Sequence, residues 1–391
     1  MTPTPNHSQT AYIPHIFHVI PSFSHGGVPI RISYLMNYFG QKVRHTLLST
    51  DKNYACETRL NAQVNYVIPE IGDADKGNIL QRISQYRKIL KQIKPDLLLT
   101  YNWGSTEWAL ANSIKPVCRH IHLESGFGPE EAQNTMPRRN WFRRLALRNI
   151  EAIVVPSNTL MTICKSDWKI PDQKIRYIPN GVDCEKYASE PQKGLIPNFS
   201  AIEDNQENTI VIGTMTPLRP EKNLPRLITA FRNMLKSCQK KNPDLNFKLI
   251  IMGEGNERKK LENMISEYGL GDSIYLTGHI DNPARALGWL DIYAISSDTE
   301  QMPNSLNQAM AAGLPIVGLD VGDVKFMLHE KNKPFITPAG DDSAFSNAMG
   351  ELATNMAIRK KLAQINKAHV KENFDQQRMF DAYADIWGLS G

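Results

Sequence analysis

The chain has 391 residues, more than one hydrophobic core usually holds, so its length favours two domains of roughly 150 to 200 residues each. With 41% hydrophobic, 22% charged and 8% aromatic residues it is neither fibrous nor disordered, and a formal net charge of +5 over this length argues against a dedicated nucleic-acid binder. Its five cysteines (Cys56, Cys118, Cys164, Cys184, Cys238) are scattered, odd in number and free of any C-x-x-C pair, which suits a reducing compartment.

The opening "MTPTPNHSQTAYIPHIFHVI" lacks a basic start and a long apolar run, and nowhere do roughly 18 apolar residues follow one another, so the expected location is cytoplasmic. From residue 15 short β-rich runs alternate with helical stretches: "HIFHVI", Gly27 to Phe39, "HTLLST", "VNYVIP", Ile79 to Ile93, "DLLLTY", "EWALANSI", "RHIHLES", "WFRRLALRNI", "AIVVPS" and "KIRYIPNG". Strands followed by crossover helices predict a parallel, doubly wound sheet. After a polar stretch from Ser189 to Asn208 the alternation restarts with "TIVIGTM" and runs to "PIVGLDV", followed by a long helical region from Ser343 to Trp387.

The expected architecture is α/β, with two Rossmann-like domains whose parallel sheets face across a cleft. The first covers residues 12–183 and the second 184–371, with the C-terminal helix, about 372–391, packing back on the first. Ligands of such sheets gather outside the carboxyl ends of the strands.

"SFSHGGVPIR" follows the first strand and opens a helix. Gly26 and Gly27 there serve either a tight turn or the approach of an anion to bare backbone N–H groups. "GTMTPLRPEKNLPRLI" puts Arg219 and Lys222 in the loop after the first strand of the second half, where they are either a solvated basic turn or cations for a diphosphate. "MGEGNER" holds G-x-G, but Arg258 stands where the dinucleotide fingerprint needs its third glycine, so a strand-to-helix turn suffices to explain it.

In "SSDTEQMPNSLNQAM", Glu300 lies just past a buried strand and Pro303 marks the start of the next helix. The amides near Asn304, Ser305 and Leu306 then suit an anion, and Gln308 falls a turn later. "RHIHLESGFG" sets His120, His122 and Glu124 on one face of a strand, for proton transfer or structural hydrogen bonding; no further ligand cluster supports a metal. Asp73-Ala74-Asp75 imitates a metal-nucleotide D-x-D motif but sits in a loop away from the strand ends. Finally, "PRRNWFRRLALRN" concentrates Arg138, Arg139, Arg143, Arg144 and Arg148 without an acid, which fits either an anionic membrane surface or a basic helix packed on its own domain.

"IPNGVD", the "RPEKN" loop, "GEG" after a strand, "LTGHI" and "SSDTEQMPNSLNQAMAAGLPIVGLDVGDV", in this order, resemble the retaining glycosyltransferases of family 4, which have the GT-B fold. The resemblance spans nearly the whole chain. It implies a nucleotide diphosphate-sugar donor held mainly by the second domain, an acceptor held by the first, and no metal or other cofactor. Gly27 would approach the donor diphosphate and Lys222 would neutralise it. Glu300 would contact the donor sugar, and Gln308 takes the place of the glutamate that holds the ribose. Gly278, His279 and Ile280 would lie beside the base. The family's acceptor-side histidine corresponds to His122 in one alignment; a neighbouring one puts Ser125 there, with Glu124 beside it.

Two positions depart from the pattern. Pro217 replaces an arginine five residues before Lys222, and Gln308 replaces a glutamate. A glutamine still holds a hydroxyl, at an expected cost on the order of 1 to 2 kcal/mol in donor affinity. The expected function is therefore retaining, metal-independent transfer of a sugar to a hydroxyl acceptor, in polysaccharide or glycolipid assembly. The acceptor is a saccharide or a lipid-linked one, met at the inner face of the membrane, and nucleic acid is not a partner. Two other readings remain: a catalytically silent partner subunit that binds nucleotide or saccharide, and a nucleotide-sugar epimerase.

Overall fold

A computed structural model of the chain describes residues 12–127, 131, 136–197, 199–200 and 208–390. The start of the chain, on which the expectation of no leader partly rests, and residues 198 and 201–207 of the polar stretch lie outside them. The chain divides into two compact units, residues 1–177 and 178–391. The seam between Tyr177 and Ile178 falls a few residues before the expected boundary.

The first unit is a seven-stranded, all-parallel sheet. Its strands are β1 His15–Ile20, β2 Arg44–Ser49, β3 Tyr66–Val67, β4 Leu97–Tyr101, β5 Arg119–Leu123, β6 Ala152–Val155 and β7 Ile175–Tyr177, in the order β3-β2-β1-β4-β5-β6-β7. All residues of β1, β4 and β6 are buried, as expected for strands covered on both faces, which is why they read as continuous apolar runs rather than alternations. The helices start where the sequence supplies caps: Asn78 and Gln81 form a reciprocal capping box for Ile79–Ile93, and the Ser157 hydroxyl accepts from Leu160 N at the start of Asn158–Ser166.

The second unit repeats the plan with β8 Thr209–Met215, β9 Asn246–Met252, β10 Ile274–Gly278, β11 Ile292–Ile295, β12 Ile316–Leu319 and β13 Ile336–Thr337, ordered β10-β9-β8-β11-β12-β13. The expected final helical region is three helices, Asp342–Thr354, Met356–Phe374 and Gln376–Trp387, broken where the Asn355 and Asp375 side chains turn back to cap the next segment. All three belong to the second unit.

"IPNG" is anchored there too. Asn180 N donates to Met302 Sδ at 3.1 Å, and Asn307 Nδ2 donates to Asn180 O at 2.8 Å. A Cβ on Gly181 would come within 2.6 Å of Gln376 Cα.

In each sheet the winding reverses once: between β1 and β4 in the first unit, and between β8 and β11 in the second. Crevices of open α/β sheets form at the carboxyl ends of such a pair.

Candidate functional site

In the second unit the loops leaving β8 and β11 meet at that reversal. The β8 loop carries Pro220–Lys222 as a single tight turn, and Asn223, in the left-handed region at φ 42°, starts the helix Leu224–Lys241 and accepts from Arg226 N. The β11 loop carries Ser296 to Glu300. Lys222 Nζ donates to Glu300 Oε1 at 2.6 Å, and Ser297 Oγ donates to the same oxygen at 2.7 Å. Both charged side chains are largely but not fully buried, so the pair is a short, charge-assisted contact in a partly desolvated place.

Glycines support this geometry from beneath. Gly322, at φ +53°, lies so close under Glu300 that a Cβ would sit 1.8 Å from Glu300 O. Gly253 and Gly255 are occupied by backbone packing, because Cβ atoms there would fall 2.0 Å from Thr216 O and 2.4 Å from Leu218 O. The "GEG" turn is therefore explained by the fold, and Leu218 N donates to Glu254 O across it at 2.9 Å.

The other donor-side candidates spread around the pair. Arg219 points outward, with 66% of its side chain exposed and Glu221 3.9 Å away. His279 is exposed beside Asp281, whereas Gly278 and Ile280 are buried. Pro303 precedes rather than begins the helix Asn304–Ala311, where Asn304 and Ser305 form the first turn. Gln308, half-buried on that helix, makes no side-chain hydrogen bond among the described residues.

In the first unit, the equivalent reversal holds a cavity of about 490 Å3. Its walls come from the loop after β1 (Pro21, Val28), the loop after β4 (Asn102, Trp103) and the segment after β5 (Ser125, Phe127), with Arg139 and Arg143 closing it. Asn102, at φ 52°, accepts from Ser125 N through Oδ1 at 2.9 Å, and Arg31 donates to Ser125 Oγ at 2.7 Å. Sequence reasoning did not single out Asn102, Trp103 or Phe127. The available signal was "YNWGS" directly after a buried strand, at the end where ligands collect.

Gly26 lies beside this cavity's β1 loop. Its φ of 177° is ordinary extended backbone, and a Cβ there would meet only Pro29 Cδ at 3.8 Å. The fold does not require this glycine. It heads the helix Gly27–Phe39, which has no side-chain cap.

His122 and Glu124 are wholly buried. His120 and His122 both bond the Thr100 hydroxyl at 2.8 Å, and His122 Nε2 stands 3.6 Å from Glu124 Oε2. Burial, then the neighbouring His122, push the His120 ring down to about 3, so it is neutral. Neither His122 nor Glu124 reaches a solvent-facing surface, and both Glu124 oxygens are buried without a hydrogen bond among the described residues, with Arg143 Nε 3.8 Å from Oε2.

The arginine helix, Pro137–Ala146, corrects the membrane reading at its centre. Arg143 is 1% exposed and forms a two-pronged pair with Glu131 (3.1 and 2.9 Å), with its guanidinium 4.9 Å above the Trp103 ring and 4.7 Å above Trp168. Arg139 also donates to Glu131, at 3.1 Å, and lies over Trp103. Burial alone would raise the Glu131 carboxyl, but the bonds from Arg143, the Met136 amide and Arg139 pull it down to about 2. The acid missing from the helix itself comes from the preceding segment. Only Arg138, Arg144 and Arg148 remain on the surface, with Trp141 64% exposed.

Asp73 pairs with Lys76 at the surface, and among the described residues no three His, Cys, Asp or Glu side chains gather as a metal site. Nor, among those residues, is any helix long and apolar enough to cross a membrane.

Comparison with known proteins matches residues 25–186 to the Glycosyltransferase Family 4 model and residues 206–355 to the Glycosyl transferases group 1 model. An Escherichia coli UDP-Gal:alpha-D-GlcNAc-diphosphoundecaprenol alpha-1,3-galactosyltransferase is 25% identical over 309 residues, 78% of each chain. An uncharacterized glycosyltransferase of Methanocaldococcus jannaschii is 25% identical over 255 residues, which span 62% of this chain and 60% of that protein. Among solved structures, Anabaena Alr3699/HepE in complex with UDP superposes with a TM-score of 0.76 at 16% identity, covering 96% of this chain and 99% of the other. The sucrose-phosphate synthase of Thermosynechococcus elongatus gives 0.72 at 17% identity, covering 95% and 98%.

Proposed function

We propose, for a chain that belongs to the GT-B glycosyltransferases, that it transfers a sugar from a nucleotide diphosphate-sugar to a hydroxyl acceptor with retention of configuration. The observation that carries this reading is the Lys222–Glu300 pair at the sheet reversal of the second unit. The two charges neutralise each other. A donor entering there divides them: its diphosphate takes the Lys222 ammonium and its sugar hydroxyls take the Glu300 carboxylate.

Charge builds on the leaving diphosphate as the sugar–oxygen bond breaks, and a cation held in place for that moment lowers the barrier. Lys222 is that cation, joined by the open amides of the helix that begins at Asn304. The departing phosphate oxygen takes the acceptor's proton on the same face, so the scheme needs neither an enzyme nucleophile nor a metal. Gly278, His279 and Ile280 border the base, and Gln308 meets the ribose. In the first unit the cavity at Asn102, Trp103 and Phe127 receives the acceptor, and bare Gly26 leaves room for a phosphate.

The E. coli relative acts on a diphosphoundecaprenol-linked sugar. A lipid-linked saccharide for polysaccharide or glycolipid assembly is accordingly the acceptor class proposed here. Arg138, Arg144 and Arg148 with Trp141 would meet the anionic inner membrane face, and salt-sensitive flotation with anionic vesicles tests that contact. A second reading, nucleotide binding without turnover, draws on the outward Arg219 and the unbonded Gln308. A donor-array assay on the purified protein, with and without a divalent-metal chelator, separates the two. Transfer that survives chelation and disappears in Lys222→Ala and Glu300→Ala supports catalysis, whereas binding with no turnover on any donor defeats it.

A further inference from the structure

Lys222 and Glu300 come from loops 78 residues apart, and a 2.6 Å contact between them requires something to hold the loops in register. Backbone alone supplies one link, Asp298 N donating to Glu221 O at 2.9 Å. We infer that Asp298 is a positioning residue: with Asn223, Arg226 and Ser296 it clamps the Lys222 turn onto the Glu300 loop and so sets where the lysine cation stands.

The contacts are convergent. Asn223 Nδ2 donates to both Asp298 oxygens at 3.1 Å, and Arg226 donates to Asp298 Oδ1 at 2.5 Å and to Ser296 O at 3.0 Å. Ser296 Oγ donates to Lys222 O at 2.9 Å. Arg226 is in turn fixed by Asp342 at 2.8 Å, on the helix Asp342–Thr354. Asn223 has a second task, because its left-handed backbone reverses the chain after Lys222 while its Oδ1 starts the next helix.

Half of the Asp298 side chain is exposed. Arg226 is 16% exposed, but it keeps Asp342 and Ser296 O when the half-exposed Asp298 carboxylate is removed, so the loss should act on geometry more than on folding. Removing Asp298 leaves Asn223 and Arg226 without their shared acceptor and lets the turn shift. A displacement on the order of 1 Å suffices to spoil a charge placed for a developing anion.

The inference rests on the proposed role of Lys222 toward a diphosphate. The test uses the full chain and whichever of uridine, guanosine and adenosine diphosphate the unaltered protein binds most tightly. Calorimetry measures its affinity in Asp298→Ala, Asp298→Asn, Lys222→Ala and Asp298→Ala with Lys222→Ala. Asp298→Ala is expected to weaken binding about tenfold with little change in melting temperature, and Asp298→Asn, which keeps one acceptor, to recover most of it. In the Lys222→Ala background the further loss falls to about twofold or less, since there is no cation left to place.

Equal losses in both backgrounds, or affinity for Asp298→Ala within about twofold of the unaltered chain, overturn the clamp while leaving the diphosphate reading intact. No effect of Lys222→Ala removes both. Should Asp298→Ala fail to fold, Ser296→Ala, which deletes only the hydroxyl bond to Lys222 O, repeats the comparison with an expected loss of about threefold.

Discussion

Lys222 Nζ and Glu300 Oε1 lie 2.6 Å apart at the carboxyl edge of the second sheet, so the candidate phosphate cation is engaged by the candidate sugar-binding carboxylate. The two substitutions should therefore act in opposite directions on diphosphate binding. Lys222→Ala removes a charged donor worth about 1.5 to 3 kcal/mol and is expected to weaken nucleoside diphosphate binding by about 10- to 150-fold. Glu300→Gln releases Lys222, so affinity for the free diphosphate is held or increased while sugar transfer collapses. Titration calorimetry beside a turnover assay reads both; parallel loss of binding in the two variants contradicts the arrangement.

Two glycines make a second comparison. Gly322 has a left-handed backbone and no space for a Cβ under Glu300, whereas Gly26 has extended backbone and open space. Gly322→Ala should lower the melting temperature and abolish transfer. Gly26→Ala should melt with the unaltered protein but raise the KM for donor, because only an incoming phosphate meets the added methyl group.

Acid sensitivity follows from the buried rings of the first unit. His18 bonds Tyr101 on one side and His45 on the other, inside the sheet. Burial, with the charge of His15 adding to it, lowers His45 to about 3, and His120 falls to about 3 from an ordinary value of 6.5. Between those values the unfolded chain binds more protons than the folded one. Stability is thus complete above about pH 7 and declines as pH falls through 6.5 toward 3. At pH 5 each ring should cost on the order of 2 kcal/mol, so urea midpoints at pH 8 and 5 should differ clearly, and His45→Gln with His120→Gln should flatten the difference.

The arginine helix should divide by burial. Arg143→Ala leaves Glu131 charged and buried and is expected to cost about 3 to 5 kcal/mol, whereas Arg138→Gln and Arg148→Gln should stay within about 0.5 kcal/mol. Denaturant midpoints measure this. Similar costs at all three positions would contradict the packed arrangement around Trp103 and Trp168.

Gln308→Glu provides a test of gain. If its half-buried side chain meets ribose hydroxyls, a carboxylate there should tighten donor binding by about tenfold without changing the melting temperature. An unchanged dissociation constant would place the ribose elsewhere.

The continuous apolar runs made the strands and the two-sided sheets readable, and the left-over polar residues at their carboxyl ends marked Lys222 and Glu300. Their contact was not readable, because it depends on which strands become neighbours: β8 pairs with β11 across an intervening hairpin-free stretch that no local pattern specifies. Arg143 misled for a related reason. Helical projection counts only the residues of the helix, while the carboxylate that buries this arginine comes from Glu131, upstream of it. The cavity residues Asn102 and Trp103 carried no motif, and only the fold reveals that the loop after β4 faces the loop after β1.

At Gly253, Gly255 and Gly322 main chain rests directly on main chain, at Thr216, Leu218 and Glu300. An added atom there has no neighbouring side chain that a second mutation can trim, so drift at these positions has no route of compensation. Charged and amide groups facing solvent-filled space face no such packing barrier, so an exchange among them changes binding or turnover while leaving the fold intact. In a lineage of such proteins, variety should accumulate in what the loops carry while the contacts between the loops stay frozen.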